Sequence, residues 1–496
     1  MFSSRSAPQR QADKHQEAEP TIAVDQLRVG MFIHLDGGWL SHPFARSSFR
    51  IANAQQIATL RGLDLARVRW SPELSDPEGS GGSLLAAGPE IAGAPSAPAD
   101  GPGPAHSTAP TDPTKLTRLA DPAKPPARLA QLRTTDASTS RILPASRTAG
   151  AGKEPSPRCA ALAAERLVQQ HCERNFAEAT TAWRAAGDVL PADPVAACAR
   201  AGALADALTD KLITDGEVGI RLLPSAGNDR AAAHALNVTV VSMLLGRTLG
   251  VARDELAELA LGALLHDVGK LELPERARHV EAGCTAAETN AYREHVARGV
   301  ATARRMGLPD GALAVIAQHH EQADASGFPL RLAGDRLALS SRIVAIVNRY
   351  DNLCNPATRA LPLTPHEAVA MLFAHGRTRY DAAVLNAFIR MMGVYPAGSL
   401  VQLTDERFAM VVAVNSTRPL KPRVLVHEAG VPRSEALLLD LELEPDIGIR
   451  RSLPAAKVPA AALQYLDPRP RVAYFFEPLA VPGTAAPAAH DAAAVA

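Results

Sequence analysis

The chain is poor in cysteine and in aromatic residues, and it carries no surplus of charge of either sign. Its five cysteines, Cys159, Cys172, Cys198, Cys284 and Cys354, are odd in number and widely spaced over 496 residues. That argues against a disulfide framework or a zinc ribbon and fits a reducing cytoplasm. Lys+Arg and Asp+Glu are both 52, so nothing advertises DNA, RNA or an anionic membrane surface as a partner. Apolar stretches such as VTVVSMLL at 238–245 fall far short of the ~20 residues needed to span a bilayer. The N-terminus has no apolar segment of the kind a secretory signal requires. Aromatics make up 4 % of the chain against 39 prolines and 34 glycines, which points to a stretch without a core. The rest is ordinary: 47 % hydrophobic and 21 % charged residues suit a soluble, cytoplasmic, largely globular protein.

Composition and periodicity divide the chain. Residues 1–20 are polar and read as disordered. Residues 21–75 read as a small α/β module, with a strand at MFIHL ended by Asp36-Gly37-Gly38. A helix follows at ANAQQIATLRGLD, where Ile57, Leu60 and Leu63 share one face. Residues 76–157 are rich in Pro, Ala, Gly and Ser without apolar periodicity, and read as a flexible linker.

Residues 158–395 have helical periodicity nearly throughout. Asn228 or Asp229 caps a helix that ends before Gly250, and Asp254 to Lys270 reads as another. Thr285-x-x-Glu288 opens a helix that stops at Gly307, and Thr364-Pro365-His366-Glu367 opens a further one. Helices are also expected from Pro309 through His320 and from Asp335 to Leu353, with a last one ending at Gly393. From Ser399 the period changes to two. SLVQL, FAMVVAV, RVLVH and ALLLDLEL read as four strands of a β-rich appendage over 396–480, and 481–496 reads as a disordered tail. The fold expected is mainly α, a helical bundle between these two smaller parts.

Chemistry concentrates in the helical region. His234, the adjacent pair His266-Asp267, His295 and the pair His319-His320 fall on successive helices. A bundle can aim one or two residues per helix at a common centre. Neutral imidazoles plus a carboxylate, without thiolate, suit a divalent metal such as Fe, Mn, Ni or Zn. An Asp that bridges two ions makes a two-metal site of the kind used for phosphoryl displacement. Lys270, four residues after His266, is expected on the same helix face, where it can meet a phosphate oxygen. Gly269 is expected to let an anionic substrate come close. His171, His279, His366 and His375 have no such context and read as surface or packing residues.

These residues, in this order, resemble the HD-GYP family of the HD phosphohydrolase superfamily. The matching segments are HALNV at 234–238, HDVGK at 266–270, REHVARG at 293–299, HHEQADASGFP at 319–329 and RIVAIVNRYD at 342–351. The 21–75 module is similar to the small domain often fused ahead of such domains. The resemblance implies a metal-dependent phosphodiesterase that opens cyclic di-GMP to pGpG and GMP. It implies two divalent ions, Fe or Mn first, with Ni, Zn or Mg as alternatives. The implied ligands are His234, His266, Asp267, His295, His319 and His320, with Asp267 bridging and Lys270 on the scissile phosphate. GGDEF-domain proteins are the implied partners, and a homodimer is the default expectation for a signalling protein.

The sequence also departs from the family pattern. Asn348 stands where the family has a ligating Asp, which weakens that position, and Asp351 one turn later is a possible substitute. The signature tripeptide reads Gly327-Phe328-Pro329, placed with Lys270 and Arg359 on the substrate side. Ala325 and Arg331 replace expected glycines, and of the usual basic pair only Arg359 remains. These departures leave a second reading beside the first: a degenerate domain that binds cyclic di-GMP or a signalling partner without turnover.

Overall fold

In a computed structural model, residues 20–77 and 157–478 are described, apart from short loops at 37–38, 45–46, 64, 215–217, 224–228, 281–282, 359–360, 416–417 and 470. The expected disordered N-terminus, nearly all of the expected linker, the tail at 481–496 and Arg359 lie outside the described residues.

The N-terminal module is built from β1 (Thr21–Ala23), β2 (Phe32–His34), β3 (Ser48–Arg50), helix α1 (Ala54–Arg61) and β4 (Arg67–Ser71). Its strands pair antiparallel in the order β1-β4-β2-β3. The Asn53 side chain caps α1 by accepting from the Gln56 N–H at 2.9 Å. Leu60 on the inner face of α1 packs with Ile33 and Ile51, all fully buried. A short 3-10 turn at Trp39–Ser41 lays this module on the helical part.

The helical part comprises α2 (Pro157–Val189), α3 (Pro194–Thr214), α4 (Arg230–Thr248), α5 (Arg253–Leu265), α6 (Ala286–Met306), α7 (Asp310–Gln318), α8 (Leu339–Cys354), α9 (Pro365–His375) and α10 (Ala382–Met392). The caps read from sequence are present: Asp229 on α4, and complete capping boxes at Thr285/Glu288 and Thr364/Glu367. Gly307 closes α6 in the left-handed conformation, φ 76°, where a side chain would be strained. Helix α4 is buried along almost its whole length and forms the axis of the bundle, packed against α5 and α8. The Lys211 side chain on α3 is fully buried, and its ammonium donates to the carbonyls of His42 and Phe44. One charged side chain thereby fastens the N-terminal module to the bundle.

The four strands expected after Ser399 are present, and the sheet they build also takes in a strand from the helical stretch. Strand β5 (Val218–Leu223) lies between α3 and α4, within the stretch read as helical. It pairs with β7 (Phe408–Asn415) on one side and β11 (Ala473–Pro478) on the other. β6 (Leu400–Leu403), β8 (Arg423–Val426), β9 (Leu437–Asp440) and β10 (Ile449–Ser452) complete a seven-stranded antiparallel sheet, with α11 (Ala460–Leu466) preceding β11. Bundle and sheet share one core, in which Leu236 of α4, Ile346 of α8 and Phe475 of β11 belong to the same buried cluster. All six residues of β5 are buried. A strand buried on both faces carries no alternation, so a periodicity test cannot separate it from a helix.

Toward the β11 edge of the sheet a buried ion cluster takes the place of apolar packing. The Arg221 guanidinium on β5 binds the carboxylates of Glu477 on β11 and Glu165 on α2. Arg423 on β8 reaches the same Glu165 at 3.2 Å.

Candidate metal centre

The histidines arrive at one point from different places on their elements. His234 lies in the first turns of α4, His266 follows the last residue of α5, His295 lies within α6, and His319 follows the last residue of α7. Helix α5 stops at Leu265, so Lys270 does not continue a helical face as expected. The chain tightens into a 3-10 turn, Val268–Glu272, that carries Lys270. Gly269 explains the close fit of this turn. A Cβ there would lie 2.0 Å from the His295 carbonyl oxygen and 2.4 Å from the Gly299 nitrogen. Gly269 thus serves the approach of the turn to α6, not the approach of a substrate.

Asp267 is the hub. Its Oδ2 faces Nε2 of His234 at 3.6 Å and of His266 at 3.4 Å, while its Oδ1 faces Nε2 of His295 at 3.6 Å and of His319 at 3.8 Å. Each carboxylate oxygen therefore addresses one pair of imidazoles. His320 joins the second group, whose ligand atoms together with those of Asp267 lie within 4.8 Å of one another.

Proton positions follow from the outer partners. Nδ1–H of His266 donates to the Ala263 carbonyl at 2.7 Å, that of His295 to Tyr292 at 2.6 Å, and that of His319 to Ile316 at 2.9 Å. His234 donates its Nδ1–H to the Asp351 carboxylate at 2.6 Å. In the neutral rings every Nε2 is then a bare lone pair. Yet Nε2 of His234 stands 3.2 Å from that of His266, and Nε2 of His295 stands 3.3 Å from that of His319. Two acceptors aimed at each other repel, and a cation between them removes the conflict. Asp267 Oδ1 is likewise buried without a hydrogen-bond partner. These orphaned lone pairs fit divalent metal ions.

The electrostatics favour the same donor set. Burial pushes His295 down to about 4, and burial with neighbouring imidazoles pushes His319 and His320 well below the usual range. Burial opposes ionisation of Asp267, but the Lys270 ammonium and the adjacent His266 outweigh it and hold the carboxyl well below its ordinary value. Lys270 donates to Asp267 Oδ2 at 2.6 Å. At neutral pH His295, His319 and His320 are therefore neutral imidazoles beside an ionised carboxylate, as metal ligation requires.

The departures noted in the sequence resolve one by one. Asn348 is buried on α8, and both its side-chain oxygen and its carbonyl accept from Asn352 Nδ2, at 2.7 and 2.9 Å. Asp351 does not replace it as a ligand. One oxygen holds His234, and the other accepts from Asn237 and Asn355, both at 2.8 Å. Ala325 and Arg331, at the positions of expected glycines, have φ of 60° and 54°, so the loop keeps a conformation that favours glycine.

Of the signature tripeptide only the Phe328 ring lines a cavity, stacked on His320 at 4.5 Å between centroids. Gly327 is buried against the backbone of 320–322, and Pro329, after a cis peptide, is exposed. Glu321, which the sequence reading passed over, clamps this loop by accepting from the N–H groups of Leu330 at 2.6 Å and Leu332 at 3.0 Å. Tyr292 was also missed. Its hydroxyl is hydrogen-bonded to His320 Nε2 at 3.2 Å.

Two cavities, of about 580 and 680 Å³, flank the centre and share Lys270, His279, Asn352 and Ala357. His279, read as a surface or packing residue, lies at this junction. Its position on an irregular segment gave the sequence no period to reveal it.

Two family models match successive parts of the chain. Residues 220–384 match the HD domain family, and residues 20–188 match a domain of unknown function, DUF3391. The chain is 26 % identical over 414 residues to the cyclic di-GMP phosphodiesterase PA4108 of Pseudomonas aeruginosa, covering 82 % of this chain and 84 % of that protein. It is 29 % identical to the cyclic di-GMP phosphodiesterase response regulator RpfG of Xanthomonas campestris and 34 % identical to the 3'3'-cGAMP-specific phosphodiesterase 2 of Vibrio cholerae. There the match covers 30 and 33 % of this chain, and only 40 and 32 % of those proteins. Among solved structures, an HDG"Y"P protein from Bdellovibrio bacteriovorus aligns over 45 % of this chain and 71 % of its own, with 18 % identity and a TM-score of 0.35.

Proposed function

Because the chain belongs to the HD-GYP family of HD domains, we propose that it is a metal-dependent phosphodiesterase acting on cyclic di-GMP. The observation that carries this reading is the two-sided environment of Asp267, each oxygen of which faces its own pair of histidine lone pairs. His234 and His266 would hold one divalent ion, His295, His319 and His320 the other, with Asp267 shared. A divalent pair bound this way supplies Lewis acidity at a phosphoryl oxygen and makes water acidic enough to serve as nucleophile near neutral pH.

The chain's own residues do the rest. The outer partners of the imidazoles, three carbonyls and Asp351, keep Nε2 free and the rings oriented. Lys270, paired with Asp267 while no substrate is present, places a positive charge where a phosphoryl oxygen gains negative charge. One water adds at phosphorus and one P–O ester bond breaks, giving linear pGpG. A second hydrolysis gives GMP. The test is turnover of cyclic di-GMP by protein purified anaerobically and loaded with Fe(II) or Mn(II). Turnover that disappears in Asp267→Ala supports the reading, and no turnover with both ions bound overturns it.

The engagement of Asn348 by Asn352 favours a second reading, a domain that binds cyclic di-GMP or a GGDEF-domain partner without turnover. Asn348→Asp separates the two. A functioning enzyme changes little, whereas a domain silenced at this position gains metal and activity together.

A further inference from the structure

The smaller of the two cavities contains basic groups that the metal centre does not use. Arg230 is the first residue of α4, one helical turn before the His234 it shares a face with, a rise of roughly 6 Å. Arg471 precedes β11 and comes from outside the residues that match the HD domain. Both side chains line the cavity that ends on His234, His266, Asp267 and Lys270.

The backbone beside Arg471 is firmly placed. The Val472 carbonyl accepts from Asn237 Nδ2 at 3.0 Å and from Asn355 Nδ2 at 2.8 Å, and the Val472 N–H donates to Asn355 Oδ1 at 2.9 Å. The same two asparagines hold the Asp351 carboxylate that orients His234. The C-terminal segment is thus tied into the network around the metal centre.

Among the described residues neither guanidinium has a carboxylate partner. Arg230 makes one long contact, 3.4 Å, to the Ala357 carbonyl. The acidic groups of the cavity are engaged elsewhere, Asp229 by Arg184, Asp267 by Lys270 and Asp351 by His234; the exception is Asp188 on α2. Burial and the charge of Arg230 together lower the affinity of Arg471 for its proton. Both charges line one cavity, and an anion bound there relieves their mutual repulsion.

We infer that Arg230 and Arg471 form an anion subsite for a second phosphate of the substrate, one not held at the metal centre. The subsite rests on the phosphodiesterase reading for its substrate, a dinucleotide with two phosphates. It gives the C-terminal β region a part in substrate binding. Guanidinium suits this role because its fork of N–H groups matches two phosphate oxygens.

The test is calorimetric titration of the full-length, metal-loaded protein with cyclic di-GMP and, separately, with inorganic pyrophosphate. Arg230→Gln and Arg471→Gln are each expected to weaken both ligands about tenfold, the loss of one charge-assisted hydrogen bond. Arg471→Lys is expected to recover part of the loss, since it keeps the charge without the fork. Both arginines are outside the core, and unchanged thermal unfolding of the variants establishes that the fold is intact. Affinities for both ligands that do not move in either variant overturn the subsite. If the parent protein ignores cyclic di-GMP while pyrophosphate binding still depends on the arginines, the proposed substrate falls and the subsite stands. A parent that binds neither overturns both.

Discussion

The Asp351 carboxylate, 2.6 Å from Nδ1 of His234, decides which nitrogen of that ring faces Asp267. A carboxylate in this place accepts only, so the proton stays on Nδ1 and the lone pair on Nε2 points inward. Asp351→Asn keeps the shape and removes that constraint. Metal affinity is expected to fall about 10- to 100-fold, measured by competition with a chelator. An unchanged affinity would show that the tautomer of His234 is fixed by something else.

The loop carrying Phe328 is held in a conformation its sequence disfavours. Ala325 and Arg331 adopt φ of 60° and 54°, where a Cβ crowds the backbone at roughly 1–2 kcal/mol per residue. Glycine would also gain entropy in the unfolded chain, which offsets part of the benefit. Ala325→Gly and Arg331→Gly are therefore each expected to stabilise by about 0.5–1 kcal/mol. Urea midpoints compared with the parent provide the check.

Arg221 is buried and bound by two carboxylates on different elements. Removing one of them by Glu477→Ala strands a charge away from water and is expected to cost on the order of 3 kcal/mol. Arg221→Met combined with Glu477→Leu should recover much of that loss, because apolar groups of similar volume need no partner. Equilibrium unfolding of the two variants distinguishes a network that stabilises from one that only avoids an unpaired charge.

His42 gives the attachment of the N-terminal module a pH dependence. Burial and the nearby Lys211 ammonium push its imidazole down to about 4, against about 6.5 in an unfolded chain. The unfolded state then binds the proton more readily, so stability is full above pH 6.5 and declines as pH falls toward 4. The buried histidines of the metal centre titrate as well. The difference between the parent and His42→Gln isolates the part due to His42. Stability differences that stay constant between pH 7 and 4.5 would remove His42 from the account.

Much of the bundle could be read from residues one to four positions apart. Thr285 with Glu288, Thr364 with Glu367 and Gly307 each mark a helix end through a local bond or a backbone angle. The histidines were legible because few other residue types make sense repeated on successive helices. What escaped depends on distant partners. β5 is a strand because β7 and β11 flank it, and Gly269 is small because α6 lies against it. Asp351 looked like a spare ligand until Asn237, Asn355 and His234 were seen to occupy it. No spacing rule within one helix carries that information.

β5 also sets the timetable of folding. Arg221 and its partner Glu477 are 256 residues apart in the chain, and β5 finds one neighbouring strand only when β11 has been made. At about 5–20 residues per second, that interval is roughly 13 to 50 seconds of synthesis. Throughout it the nascent bundle exposes an unpaired, apolar strand edge, and Arg221 at its middle holds only Glu165 of its two carboxylates. That edge invites chaperones and wrong partners alike. Any attempt to produce the HD region alone, cut before β6, would make this transient vulnerability permanent.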